Sequence, residues 1–429
     1  MGIGAFILVF ALALLLGMPI AFAMLLASAL YFTTNDADVL LQMLPERLFG
    51  GLDLFILLAI PMFLMAGDLM NRAGMSDRLI TFANLLVGRL RGGLAQVNVL
   101  SSVLFSGVTG IALGDVVALG KIFIPAMERS GYSRSFAAAV TAASSLIGPI
   151  IPPSTIAVLY AAIMGVSVGG MFVAAIIPGL LIGLSDMIVV YLIARRRGYG
   201  VSSETVDRGK FLRSFRDAVL AIVMPVIIIG GMLGGIFTPT EAAAVAVLYA
   251  LMVGILVLRG LGPRDFVTTL RLSALDTARL LIIIGAAASV SWIFAIENVP
   301  LHVAALFEPL AAHPLLLVLC INFFFLFLGT WLDPAASIIL FAPIVGPMAI
   351  EMGLHPLQFG VMMIVNANIG YVTPPIGNVL FAVSKIANVS TWALARELAP
   401  FIVVNALITL AVGLLPGLSL WLPRLFGLA

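Results

Sequence analysis

The sequence predicts an all-α polytopic membrane protein built from two inverted repeats, each with a re-entrant hairpin and a broken helix. Three observations carry this. Of 429 residues, 62% are hydrophobic and 10% charged, where soluble domains carry roughly 25% charged residues. Apolar stretches near the roughly 20 residues needed to span a bilayer recur from end to end. Glycines and prolines also recur at a constant separation of 222 positions, with no gap: Gly107 and Gly329, Pro125 and Pro347, Gly131 and Gly353, Gly148 and Gly370, Pro152 and Pro374, Pro153 and Pro375, Pro178 and Pro400.

The same composition excludes other classes. Lys plus Arg is 22 and Asp plus Glu is 20, a net charge of +2, so the basic footprint of a nucleic-acid binder is missing. The single cysteine, Cys320, sits in an apolar run and reads as core. His302, His313 and His355 lack paired-ligand spacing. Residues Gly114 to Lys121 read GDVVALGK, with five residues between the glycines and Ile122 after the lysine, so they do not form a phosphate loop.

In chain order, membrane spans are expected near 3–17, 19–33, 52–72, 134–167, 170–194, 218–237, 239–260, 280–297, 357–388 and 398–422. The first pair is separated by Gly17-Met18-Pro19, which resembles the break Thr238-Pro239-Thr240 between two clear spans. No small-residue cleavage site follows, so the N-terminus does not read as a removable signal. The longest polar stretch, 195–217, holds Arg195, Arg196, Arg197, Arg208, Lys210, Arg213 and Arg216, and positive charge concentrates on the cytoplasmic side. Counting spans from there puts 20 Lys and Arg inside and only Arg47 and Arg424 outside.

The first repeat is expected over 1–194, a cytoplasmic linker over 195–217 and the second repeat over 218–429. Five spans, an odd number, separate the matched segments, so the second copy enters from the opposite side. Inverted repeats of this kind mark secondary transporters.

Each copy begins with an apolar stretch interrupted by a small polar cluster: Phe105-Ser106-Gly107-Val108-Thr109-Gly110, then Gly329-Thr330-Trp331-Leu332-Asp333-Pro334. As one helix, 93–128 would run about 54 Å at 1.5 Å per residue, well beyond the roughly 30 Å hydrocarbon core. A re-entrant hairpin over about 93–128, and its counterpart over about 314–351, fits better. A broken span follows in each copy, at 148–154 and 370–377, where paired prolines cannot donate the hydrogen bonds of a helix. Irregular backbone at membrane depth is tolerated where it is buried in protein or lines a cavity.

Half-helices that begin at the midplane aim N–H groups at an anion, while unwound carbonyls suit a hard cation. Candidate cation ligands for Na⁺ are Ser106, Gly107, Ser144, Gly148, Gly329, Thr330, Gly370, Thr373 and Gly377. Candidate contacts for an anionic substrate are Ser106, Thr109, Asp115, Ser154 and Asp333. The hydroxyls of these residues, and that of Ser145, have an alternative use in bonding their own helix backbone. Asp115 and Asp333 are intramembrane acids, which normally serve a function, but either also fits a helix cap. Lys121 and Lys385 are candidate partners for a carboxylate substrate, but their places nearer the cytoplasm favour snorkelling.

At this point the sequence resembles a known family, the large membrane subunit of tripartite ATP-independent periplasmic (TRAP) transporters, of the DctM type. The resemblance spans essentially the whole chain. It is carried by FSGVTGIALGDVVALGKIFIPAMERSGY (105–132), FAAAVTAASSLIGPIIPPS (136–154), GGIFTPTEAAAVAVLYA (234–250), LGTWLDPAASIILFAPIVGP (328–347) and FGVMMIVNANIGYVTPPIGNVLFAVSKIANVS (359–390). The first hairpin tip departs from the family pattern more than the second.

The resemblance implies an elevator-type, Na⁺-coupled importer with no other cofactor, located in the bacterial inner membrane. Its moving domain would hold the two hairpins and two broken helices, with amphipathic arms over 75–91 and 263–279. It also implies a separate small membrane subunit of four helices and a periplasmic binding protein that delivers a carboxylate: a C4-dicarboxylate, a sialic acid or another sugar acid. The alternative is a stand-alone Na⁺/dicarboxylate symporter. An intramembrane enzyme is disfavoured, because no nucleophile with a base and no metal cluster is evident.

Overall fold

A computed structural model describes residues 2–35, 37–109, 112–200, 208–307, 309 and 313–429. The side chains of Asp38, Gly107, Val108, Thr109, Arg208 and Ala304 are outside that description. Every regular element among the described residues is helical. Among the described residues, eight helices are long and apolar enough to cross a membrane: Phe55–Arg72, Val168–Arg197, Gly209–Leu233, Pro239–Val257, Pro263–Ile296, Pro314–Trp331, Pro334–Glu351 and Thr391–Leu414. Large apolar side chains such as Leu16, Phe55, Phe323 and Trp392 are exposed on the outside, as expected where hydrocarbon is the solvent.

The N-terminal fifth comprises α1 (Ile3–Leu15), α2 (Ile20–Thr34), α3 (Asp38–Gln42), α4 (Leu44–Leu52), α5 (Ala59–Arg72) and α6 (Met75–Val87). Gly17, at φ +83°, and Pro19 separate α1 from α2, so 3–33 forms two helices. The first hairpin is α7 (Gly93–Thr109) and α8 (Ala112–Arg129). The first broken helix is α9 (Arg134–Ser145) and α10 (Thr155–Met164), followed by α11 (Val168–Arg197).

The second part repeats this order: α12 (Arg208–Leu233), α13 (Pro239–Met252) with a π-turn to Val257, α14 (Pro263–Ile296) and α15 (Val299–Phe307). Then come the hairpin α16 (Pro314–Trp331) and α17 (Pro334–Glu351), the broken helix α18 (Pro356–Tyr371) and α19 (Asn378–Ala387), and α20 (Thr391–Leu414) with α21 (Gly417–Leu425). Helix α17 starts and ends 222 positions after α8, and α16, α18, α19 and α20 begin within one residue of the same offset from α7, α9, α10 and α11.

Four boundaries differ from the sequence expectation. The arm expected over 263–279 and the span over 280–297 are one helix, because Pro263 starts α14 at its first turn and no Gly or Pro follows until Gly285. The arm at 75–91 remains a separate helix, entered from Gly74 at φ +83°. Much of the linker 195–217 is helical, since α11 runs to Arg197 and α12 begins at Arg208. The final span starts earlier than 398, where the Ser390 side chain caps Ala393, and stops at Leu414, just before Pro416.

The broken helices sit at the centre. Every residue of 136–145 and 357–371 is buried. Helix α9 packs on α7, α8 and α20, and α18 packs on α16, α17 and α20. The hairpins also cross over, with α19 against α8 and α10 against α17. Small residues permit this close approach: a β-carbon on Gly360 would collide with the Tyr160 ring, and one on Gly413 with Val318 and Met362.

Candidate functional site

Two clusters form where a hairpin end meets a break. In the first, α9 ends at Ser145 and the chain is irregular over 146–154 until Ser154 caps α10. The Ser154 hydroxyl accepts the Ala157 N–H at 3.2 Å and donates to the Pro149 carbonyl. Ser154 is therefore a helix cap as well as a candidate contact. Asp115 lies in the first turn of α8, fully buried, with a carboxylate oxygen against Gly148. A negative side chain is favoured at that helix end.

Ser144 accepts a hydrogen bond from Ser102 at 2.9 Å, and Asn98 donates to Thr141 at 2.8 Å, so α7 is bonded to α9 at two levels. Ser106 donates to the Val103 carbonyl at 2.5 Å and Ser145 to Ala142 at 2.8 Å. Both hydroxyl protons are thus used within their own helices, leaving oxygen lone pairs available. Gly107 and Thr109 lie in the last turn of α7, and their surroundings are outside the described residues.

The second cluster is more compact. Gly329 and Gly370 bring α16 and α18 into backbone contact: a β-carbon on Gly370 would lie 2.6 Å from the Gly329 Cα. The Gly377 N–H donates to the Thr330 carbonyl at 3.0 Å, tying the hairpin to the break. Gly377 has φ +50°, and a β-carbon there would lie 2.9 Å from the Thr373 carbonyl oxygen and 3.1 Å from that of Tyr371. Thr373 donates its hydroxyl to Ile369 and Thr330 its own to Phe327, each at 2.7 Å. Gly329, Thr330, Gly370, Thr373 and Gly377 therefore converge, with the Thr330 carbonyl accepting from Gly377 across the two elements and the Gly370 carbonyl accepting from Thr373 at 2.8 Å in the turn that ends α18.

The geometry also corrects the expected turns. Ser106, Gly107, Gly329, Thr330 and Gly370 belong to final helical turns, and the second hairpin reverses at Leu332-Asp333 alone. A β-region cap followed by proline needs no longer linker: Asp333 at φ −61°, ψ 143° accepts the Ala335 N–H at 2.9 Å, and Pro334 opens α17. Lys121 and Lys385 are both exposed.

Several groups near the clusters escaped the sequence reading. Tyr371 lies beside Asp333 and Asn378. At the register of Asp115, the second copy carries Ser337, fully buried and with its hydroxyl unpartnered. Asp186 is fully buried within α11, where its Oδ1 accepts from Asn405 of α20 at 3.2 Å; Ser185 donates to the same Asn405 at 3.2 Å. The signal for Asp186 was available, because it is an acid inside a long apolar run.

Comparison with known proteins adds three findings. The family described as "Tripartite ATP-independent periplasmic transporter, DctM component" matches residues 7–418. The sialic acid TRAP transporter large permease protein SiaM of Vibrio cholerae is 39% identical over 411 residues, 96% of each chain, and the C4-dicarboxylate TRAP transporter large permease protein DctM of Pseudomonas aeruginosa is 37% identical over 383 residues, 89% of this chain and 90% of that one. In fold, the Alcanivorax borkumensis YdaH transporter superposes with a TM-score of 0.64 at 18% identity, covering 89% of both chains.

Proposed function

Because the chain belongs to the DctM family of TRAP transporter components, a multi-pass protein of the bacterial inner membrane and not an enzyme, we propose that it imports a carboxylate under a Na⁺ gradient. The substrate class is a C4-dicarboxylate, a sialic acid or another sugar acid. The chain acts with a small membrane subunit and a periplasmic binding protein that delivers the ligand. Its two hairpins and two broken helices move together as an elevator. The two halves of the chain stand in opposite orientations in the membrane.

The observation that carries this reading is the convergence of Gly329, Thr330, Gly370, Thr373 and Gly377. Carbonyl and hydroxyl oxygens at helix ends and on the irregular backbone of a break are the donor set of a hard cation such as Na⁺. Beside it, α17 starts with the positive end of its helix dipole, capped by Asp333, so a carboxylate is favoured where the cation offsets the Asp333 charge. At the first cluster the buried Asp115 supplies an anion, which favours the cation there. The energy source is then differential: a carboxylate bound next to Na⁺ is held more tightly on the side where Na⁺ is abundant.

The test is uptake into proteoliposomes containing this chain and its small subunit, with binding protein and radiolabelled sialic acid or succinate outside. Uptake that requires both a Na⁺ gradient and the binding protein is expected. Equal uptake on a proton gradient without Na⁺ would overturn the ion assignment. Uptake without the binding protein would favour a stand-alone symporter.

A further inference from the structure

A crevice of about 360 Å³, lined by none of the residues of the candidate clusters, lies between helices α1, α14 and α15 and the second hairpin. One wall is formed by Phe6 and Phe10 of α1, Phe294 of α14 and Val303 of α15; the other is formed by Phe324 of α16 and Leu340 of α17. Every residue lining it is apolar. Such a space holds no ordered water, because water needs polar partners, and left empty it forfeits dispersion contacts along both walls.

The rim faces outward. Ile7 is 53% and Leu306 76% exposed, so the crevice is continuous with the apolar exterior of the spanning helices. Its depth is marked by polar and aromatic groups on the adjoining turns: Tyr31 hydrogen-bonds Glu297, and Trp292 stacks beneath Arg47 at 4.9 Å. Tyr and Trp collect at the membrane interface. The crevice therefore opens just inside the headgroup level. A partner helix, about 10 Å across with its side chains, needs far more room than this space offers. A hydrocarbon chain is narrow, matches an all-apolar lining and leaves its polar end at the rim.

We propose that this crevice is a binding site for one acyl chain of a membrane phospholipid, wedged between α1, α14 and α15 on one side and the hairpin α16–α17 on the other. The proposal depends only on the membrane setting and goes beyond the transport reading. The chain completes the packing between the hairpin and the helices beside it, filling the space that α14 and α15 leave where they pack on α17.

The full chain is reconstituted in liposomes containing a trace of phosphatidylcholine with a diazirine in its acyl chain, illuminated, and mapped by mass spectrometry of its peptides. Adducts are expected on Phe10, Val303 and Leu340 as well as on Leu8, Leu12 and Val226, which face the exterior. Val303→Phe and, from the opposite wall, Ile344→Phe are then expected to lower the crevice adducts at least ten-fold while leaving the exterior adducts unchanged. Labelling confined to Leu8, Leu12 and Val226 in the unmodified protein overturns the proposal. Crevice labelling that persists in both filled variants overturns it too. If one variant fails to fold, the other and the unmodified protein still decide the outcome.

Discussion

The carboxylate of Asp115 occupies the space that a β-carbon on Gly148 would need. The acid at the start of α8 thus lies directly on the first break, and the absence of a side chain at 148 is what admits it. Gly148→Ala should force one of them to move, at a cost in the range of about 1–3 kcal/mol for overpacking. We expect folded protein with initial uptake reduced at least ten-fold. Asp115→Asn should impair uptake as severely as Asp115→Ala, because the charge is what serves the cation. A fully active Asp115→Asn at matched expression would refute this role.

Asp333 performs a different task, since it caps α17 through the Ala335 N–H. Asp333→Asn retains a capping oxygen and should be tolerated better than Asp333→Ala, by roughly the 1 kcal/mol typical of a cap. Thermal unfolding in detergent and initial uptake rates should rank the variants in that order. Equal losses in both would show that the charge, not the cap, matters at this position.

Thr373 gives its hydroxyl proton to Ile369 and keeps a lone pair for a cation. Thr373→Val preserves the shape and removes that oxygen. The Na⁺ concentration for half-maximal uptake should rise several-fold, with little change at saturating Na⁺, and the unmodified protein should show a Hill coefficient above one. An unchanged Na⁺ curve for the variant would remove Thr373 from the ligand set.

The orientation of the repeats can be read with single cysteines in a Cys320→Ala background. Val39 is exposed before α4, and Gly200 is exposed after α11. A membrane-impermeant maleimide added to whole cells with a permeable outer membrane should label Val39→Cys and not Gly200→Cys. Labelling of both from one side contradicts opposite orientations. Residues 38 and 205 serve the same comparison, although the Asp38 side chain and residue 205 lie outside the described residues.

Asp186 has one hydrogen-bond partner, Asn405, and its second oxygen is buried without one. Asp186→Asn keeps the volume and can still bond Asn405, so near-normal thermal stability is expected. Asn405→Leu leaves the buried acid with no partner and should destabilise by about 1–3 kcal/mol. The reverse ranking in unfolding temperature would mean that the carboxyl itself is the essential group.

The chain's local features were legible without a structure. A composition of 62% hydrophobic residues admits only a membrane setting for helices of this length. Proline pairs lack the N–H groups a helix needs, so the breaks followed from residue chemistry alone. Asp333 before Pro334 reads as a helix start because capping is decided within four residues. Tertiary structure decided the rest. Nothing in the pattern of apolar residues indicates that Asp186 meets Asn405, 219 positions away, or that Gly329 touches Gly370. It also does not show that Asp115 rests on Gly148, or that an apolar crevice remains beside the second hairpin. The reason is physical: periodicity and propensity act over a few residues along one helix. Which face of one helix meets which face of another depends on the crossing angles and side-chain volumes of the whole assembly.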